Sequence, residues 1–149
     1  MIVDDDADDR LLFSRALEKS GLNVELFEAT DGYAAINYLL GNEAYADRSR
    51  FPFPDVVVLD LKMPGMDGFE VLKQIRANMG LQNLPVIIFT NSDSKKYAAA
   101  AYSSHASAFH QKPYGSDELV RLLQRVIPLW LHPIPGISGA TRESRQSLD

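Results

Sequence analysis

The chain has 149 residues, 46% hydrophobic and 23% charged, the size and balance of one globular domain with one sizeable core. Its formal net charge of -5 argues against nucleic acid as a partner, because binding phosphates requires a basic face that releases their counterions. With no cysteine, a disulfide framework, a thiolate nucleophile and a zinc-thiolate site are all excluded.

The start, MIVDDDADDR, has neither the basic nor the apolar segment of a secretory signal, and no later stretch reaches the apolar length of a membrane span. A soluble cytoplasmic protein with no membrane partner is expected. The opening strand, Met1 to Val3, is short enough to leave open whether native residues precede it. Asp4, Asp5 and Asp6 follow directly. A first helix is expected from Ala7 to Ser20, with Asp8 and Asp9 complementing the dipole of its first turn and Gly21 closing it. NVELFEA from Asn23 reads as the second strand. The segment from Gly41 to Pro54, polar and proline-rich, is too long for an ordinary connection and reads as a surface loop and contact site. DVVVLD from Asp55 and PVIIFT from Pro85 contain continuously apolar runs, as central parallel strands do when helices cover both faces. KKYAAAAYSSHA reads as an alanine-rich helix with little to anchor it, hence the mobile one. SAFHQ from Ser107 is the fifth strand. In the last helix Leu119, Leu122, Leu123, Val126 and Ile127 form one buried stripe, with Ser116 as N-cap and Pro128 bending or ending it. Leu129, Trp130 and Leu131 are then surplus apolar length, an exposed patch that suggests a homodimer through this helix. The tail after His132, residues 133–149, has the composition of a disordered segment. The alternation of strands and helices gives an open-sheet α/β fold.

In such a sheet ligands bind beyond the carboxyl ends of the strands, where this sequence places Asp4, Asp5 and Asp6, then Asp60, then Thr90, and, a few residues past the fifth strand, Lys112. Carboxylates crowded together repel unless a cation intervenes, and Mg2+ suits one or two carboxylates plus waters and phosphate oxygens. Asp60 can then act as a carboxylate nucleophile toward a phosphoryl donor, forming an aspartyl phosphate. Lys112 would neutralise the phosphoryl oxygens and the Thr90 hydroxyl would donate to one of them. By itself the Asp4–Asp6 triplet would be an ordinary strand exit and helix start. Asp60 reverses those odds. The working pair is either Asp4 with Asp5 or Asp5 with Asp6; the first is preferred, since it follows Val3 immediately and leaves Asp6 for the helix.

Taken in order, DDD, LDLKMPGMDG, FTNS and HQKPY resemble the receiver domain of bacterial two-component response regulators, over about residues 1 to 132. The resemblance implies a (βα)5 flavodoxin-like, doubly wound parallel sheet of order 2-1-3-4-5. It also implies Asp60 as phospho-acceptor, Asp5 as a direct Mg2+ ligand, Asp4 acting through water and the Lys62 backbone carbonyl completing the protein ligands. Thr90, Phe109 and Lys112 correspond to the family's conformational threonine, switch aromatic and lysine, and a cis Lys112-Pro113 bond would aim the lysine inward. The phosphoryl group would come from a sensor histidine kinase in a phosphorelay, and the signal would leave by contact with an unknown downstream protein. Self-phosphorylation and autodephosphorylation are then the only reactions. The chain is more narrowly similar to single-domain regulators paired with phytochrome-type kinases, which share the long loop before the third strand and an aromatic-leucine end such as Trp130-Leu131.

Three positions depart from the family pattern. His105 stands where a glycine with positive φ is usual, Asn91 is bulkier than the usual residue after the threonine, and the Lys62 side chain can reach over the phosphoryl site. Asp67 and Gly68 read as turn and cap residues, and His105, His110 and His132 have no metal-ligand spacing. Trp130 and Tyr102 suit packing better than recognition. Among rival functions, a haloacid-dehalogenase-like phosphatase needs a second aspartate two positions after the nucleophile, where this chain has Lys62. A flavodoxin-like FMN module conflicts with three aspartates at the mouth and with the absence of a phosphate loop. A receiver that has lost phosphorylation is disfavoured because acceptor, acids, threonine and lysine are all present.

Overall fold

The computed structural model describes residues 1–92 and 95–131, so His132 and the tail at 133–149 lie outside the described residues. Five strands, β1 (Ile2–Val3), β2 (Glu28–Ala29), β3 (Val57–Leu59), β4 (Val86–Thr90) and β5 (Ala108–Gln111), pair in parallel in the order β2-β1-β3-β4-β5. Five helices connect and follow them: α1 (Ala7–Lys19), α2 (Gly32–Leu40), α3 (Gly68–Ala77), α4 (Lys95–Ser103) and α5 (Ser116–Trp130). This is the expected flavodoxin-like arrangement.

Successive strand side chains point to opposite faces, so covering both faces demands an unbroken apolar run. Val57, Leu59, Val86 and Ile88 accordingly join one buried cluster with residues of α2 and α3, while Val58, Ile87 and Phe89 join a second with residues of α1 and α5. Each fully buried Leu, Ile or Phe contributes about 1.5–3 kcal/mol relative to an exposed one. The two clusters fix the sheet from both sides and hold its carboxyl edge still. Among the described residues, no helix is long and apolar enough to cross a membrane.

The local outcome differs from the sequence reading at several points. The NVELFEA segment enters the ladder only at Glu28 and Ala29, because its neighbour β1 offers only Ile2 and Val3 as partners. The cap of α5 is Gly115, whose carbonyl accepts from the Leu119 N–H at 3.1 Å, and Ser116 is the first helical residue rather than the cap. Pro128 does not end α5, which runs on to Trp130; only two residues of the helix follow the proline, whose nitrogen has no N–H to donate. Trp130 and Leu131 pack against the second cluster, so the expected exposed patch of three shrinks to Leu129.

The segment from Gly41 to Pro54 is tied down rather than free. The Arg48 guanidinium donates to the carbonyls of Tyr38 at 2.7 Å and Leu39 at 2.8 Å in the last turn of α2, and to that of Phe51 at 3.2 Å, tying the segment to the helix end. Tyr38 is fully buried, and the rings of Phe27, Tyr45 and Phe51 pack around it at 5.1–6.0 Å.

Candidate functional site

Burying a polar group is costly unless it is paired, so buried polar side chains mark places the fold has prepared for something other than packing. Among the described residues these are Asp4, Asp60, Thr90, Lys112 and, elsewhere, Ser20. The first four gather beyond the carboxyl ends of β1, β3, β4 and β5. Backbone hydrogen bonds that extend the sheet past the strands place them there: the Asp4 N–H donates to Ala29, Asp60 to Val3 and Lys112 to Thr90, at 3.2, 3.0 and 2.8 Å.

The Lys112 ammonium is the centre of the cluster. It donates to Asp4 Oδ2 at 2.7 Å, Asp9 Oδ2 at 2.9 Å and Asp60 Oδ2 at 3.4 Å, and lies 5.9 Å from the Phe89 ring centre. Burial alone would lower its proton affinity, but the hydrogen bonds it donates to Asp4 and Asp9, with the charges of Asp60 and Asp4, outweigh burial and hold it above the ordinary lysine value. Asp60 moves in the opposite sense for a carboxylate. Burial raises its pKa above the ordinary value, Lys112 opposes this, repulsion from Asp4 adds to it, and hydrogen bonds from Lys112 and Thr90 pull back. The Asp60 oxygens are poorly solvated and lie beside the Lys112 ammonium.

One acidic oxygen from each of Asp4, Asp5 and Asp60 lies within 4.8 Å of the others. Asp6 is not part of this group: its Oδ1 accepts from the N–H groups of Asp8 at 2.9 Å and Asp9 at 3.3 Å, capping α1. Asp5 makes no hydrogen bond or ion pair within the described protein and is exposed. Three carboxylates, of Asp4, Asp9 and Asp60, thus share a single ammonium and a fourth, of Asp5, lies beside them, a donor set with negative charge to spare and hard oxygen ligands, which fits a divalent cation such as Mg2+.

Asp9 escaped the sequence reading, in which it served only the helix dipole. No local pattern ties residue 9 to residue 112; the pair exists because α1 and β5 are brought to the same edge of the sheet. The Lys112-Pro113 peptide bond is trans, contrary to the cis bond expected, and the lysine is aimed inward by its ion pairs with Asp4 and Asp9.

The loop after Asp60 is shaped by close backbone approach. The Gly68 N–H donates to Leu61 O at 2.9 Å, and a Cβ on Gly68 would lie 2.2 Å from the Asp60 carbonyl oxygen, so only glycine fits. Asp67 caps α3 in a reciprocal box with Glu70. Lys62 is exposed, with its ammonium 5.5 Å from the Tyr97 ring centre, and Asn91 is exposed as well. Phe109 on β5 is half-buried and packs against the first cluster. At His105 the backbone adopts φ +66°, the left-handed conformation for which glycine is usual, and its carbonyl accepts from Arg76 Nε at 2.9 Å.

Comparison with known proteins supplies the frame for this geometry. Residues 1–124 match the family model of the response regulator receiver domain. The chain is 34% identical over 131 residues, 88% of its own length and 82% of the relative's, to the probable methanogenesis regulatory protein FilR2 of Methanothrix harundinacea. It is 30% identical to the response regulator Rcp1 of Synechocystis sp., covering 90% of this chain and 89% of that one. The crystal structure of the Mn2+-bound form of Rcp1 superposes with a TM-score of 0.76 at 30% identity over 89% of this chain and 94% of the other. The phosphorylated cyanobacterial phytochrome response regulator RcpA superposes with a TM-score of 0.80 at 28% identity, covering 91% and 96%.

Proposed function

Since the chain belongs to the response regulator receiver domain family, we propose that it accepts a phosphoryl group on Asp60 from a sensor histidine kinase of phytochrome type, with Mg2+ as cofactor, in the cytoplasm. The observation that carries this reading is the enclosure of Asp60 between the Lys112 ammonium at 3.4 Å and the carboxylates of Asp4 and Asp5. Asp60 attacks as the carboxylate, forming an acyl phosphate while the donor's leaving group departs. Lys112, already fixed by Asp4 and Asp9, neutralises charge on the transferred oxygens without having to reorganise. Thr90, buried at the end of β4, donates its hydroxyl to one of those oxygens. Asp5, Asp60 and the Lys62 carbonyl would hold the Mg2+ directly and Asp4 through water, and the ion supplies a positive counter-charge that lets an anionic donor approach the acids.

Residues 1–132 form the receiver unit in this reading, and Phe109 relays occupancy of the Thr90 position toward the β5 surface. Output proceeds by contact with a downstream protein, and a homodimer forms through α5. The Mn2+ and phosphorylated forms named for Rcp1 and RcpA support the metal and the modification by similarity.

Mass spectrometry after incubation with Mg2+ and acetyl phosphate or phosphoramidate tests the central claim. One base-labile phosphoryl group on the parent, and none on Asp60→Asn, is the expected result. Labelling of Asp60→Asn to the parent level would reject the assignment.

A further inference from the structure

Helix α4 has few holds on the rest of the molecule. It buries only Ala101, and among its described side chains the other one packed against the core is Tyr97. The Tyr97 ring stacks on Phe69 of α3, centres 6.3 Å apart at 24°, and the Lys62 ammonium lies 5.5 Å from its centre. Lys62, Met63, Pro64, Phe69 and Tyr97 line a groove of about 420 Å³ between the loop after Asp60 and α4. Lys62 therefore stands with its backbone two residues from the acceptor and its charge on the first turns of α4.

We propose that Tyr97 is a positioning residue for Lys62, holding its ammonium at the edge of the site while Asp60 is unmodified, and that a phosphoryl group on Asp60 draws the ammonium off the ring. The inference rests on the reading of Asp60 as phospho-acceptor. An exposed ammonium over a ring is weakly held, because water competes for the charge. A phosphoryl group brings close to two negative charges and several acceptor oxygens, and its charge-assisted bonds to an ammonium are the stronger interaction. The lysine stem is flexible enough to follow. When the ammonium leaves, Tyr97 keeps its stack on Phe69 and its packing on the core, and α4 loses one of its holds. This path from Asp60 to α4 runs through the loop after β3 and is separate from Thr90 and Phe109.

Amide hydrogen exchange in α4 tests it, using the full chain with and without Mg2+ and beryllofluoride, a phosphoryl mimic. In the free protein, Lys62→Met should speed exchange in α4 by about two- to fivefold, the strength of an exposed cation-π contact, and Tyr97→Leu, which also loses the stack on Phe69, by at least as much. The double variant should be no faster than Tyr97→Leu alone, and Tyr97→Phe, which keeps the ring, should exchange like the parent. With beryllofluoride bound, parent and Lys62→Met should become alike. Additive effects of the two substitutions, or a parent whose α4 exchange is unchanged by bound beryllofluoride, would overturn the proposal. Fluorine NMR reports binding separately: absence of a bound signal in the parent means that the phospho-acceptor reading fails and the release step fails with it, while the free-state comparison still decides the Lys62-Tyr97 contact.

Discussion

Lys112 and Asp9 are joined by a 2.9 Å ion pair across 103 positions of sequence, and that pair sets the direction of the lysine at the site. With Lys112→Met, Asp4 and Asp60 lose their buried counter-charge, and a loss of about 3–5 kcal/mol in urea unfolding without Mg2+ is expected. Asp9 is partly exposed, so Asp9→Asn should cost only about 1 kcal/mol. The Lys112 contribution, present while its carboxylate partners are ionised, is complete below its ordinary value of 10.5 and lost as pH rises through its higher folded value, so on the alkaline side the gap between parent and Lys112→Met should narrow only in strong alkali. Equal costs for the two substitutions would contradict this.

Asp5 is exposed and carries no structural contact, which separates metal binding from folding. Asp5→Ala should fold as the parent does and lose the stabilisation by Mg2+ that, at a concentration about 100 times the dissociation constant, amounts to about 2.7 kcal/mol. Thermal unfolding with and without Mg2+ measures it. A variant still stabilised as much as the parent would remove Asp5 from the ligand set.

Gly68→Ala places a methyl group 2.2 Å from the Asp60 carbonyl oxygen, whereas at Gly80 the nearest atom to such a group is the Asn78 side-chain oxygen at 3.4 Å. The first substitution should cost about 1–3 kcal/mol or more and impair phosphorylation. Gly80→Ala should leave phosphorylation unchanged. Denaturant titration and acetyl phosphate labelling of both variants give the comparison.

The raised pKa of Asp60 has a defined linkage to stability. The folded state binds this proton more tightly than the unfolded state, so between the ordinary value of 3.8 and the higher folded value stability falls as pH rises, and the deficit persists at neutral pH. Asp60→Asn should therefore unfold later than the parent at pH 7 without Mg2+, with the advantage disappearing below 3.8. An asparagine variant less stable than the parent at pH 7 would show that the charge is better accommodated than its burial implies.

Leu129 is 58% exposed near the end of α5, beside the half-buried Trp130. If the proposed homodimer forms through this helix, Leu129→Ser should shift light-scattering mass toward the monomer and leave Asp60 labelling intact. Trp130→Ala should instead lower stability, by about 3 kcal/mol at most given its partial exposure. A parent that is monomeric at high concentration would exclude this interface.

The fold class and the residues that cluster at the candidate site were legible in the sequence because both are written locally. Runs such as VVVL and VIIF carry the signature of strands covered on two faces, and Asp4, Asp60, Thr90 and Lys112 follow those runs at the edge where parallel sheets bind ligands. The clustered acids could be narrowed but not separated, since only the cap geometry assigns Asp6 to α1. What lay beyond reach depends on how distant segments meet. The Asp9-Lys112 pair, the fixing of the 41–54 segment by Arg48 and Tyr38 and the trans bond at Pro113 have no periodic or motif signal, whereas Trp130, three positions after Ile127 and four after Val126, continues the stripe of α5 and packs on the second cluster accordingly. Side-chain period and capping chemistry are set by neighbours three or four positions away, whereas these contacts are decided by which helix faces which strand, and that is settled only when the two faces of the sheet are covered together.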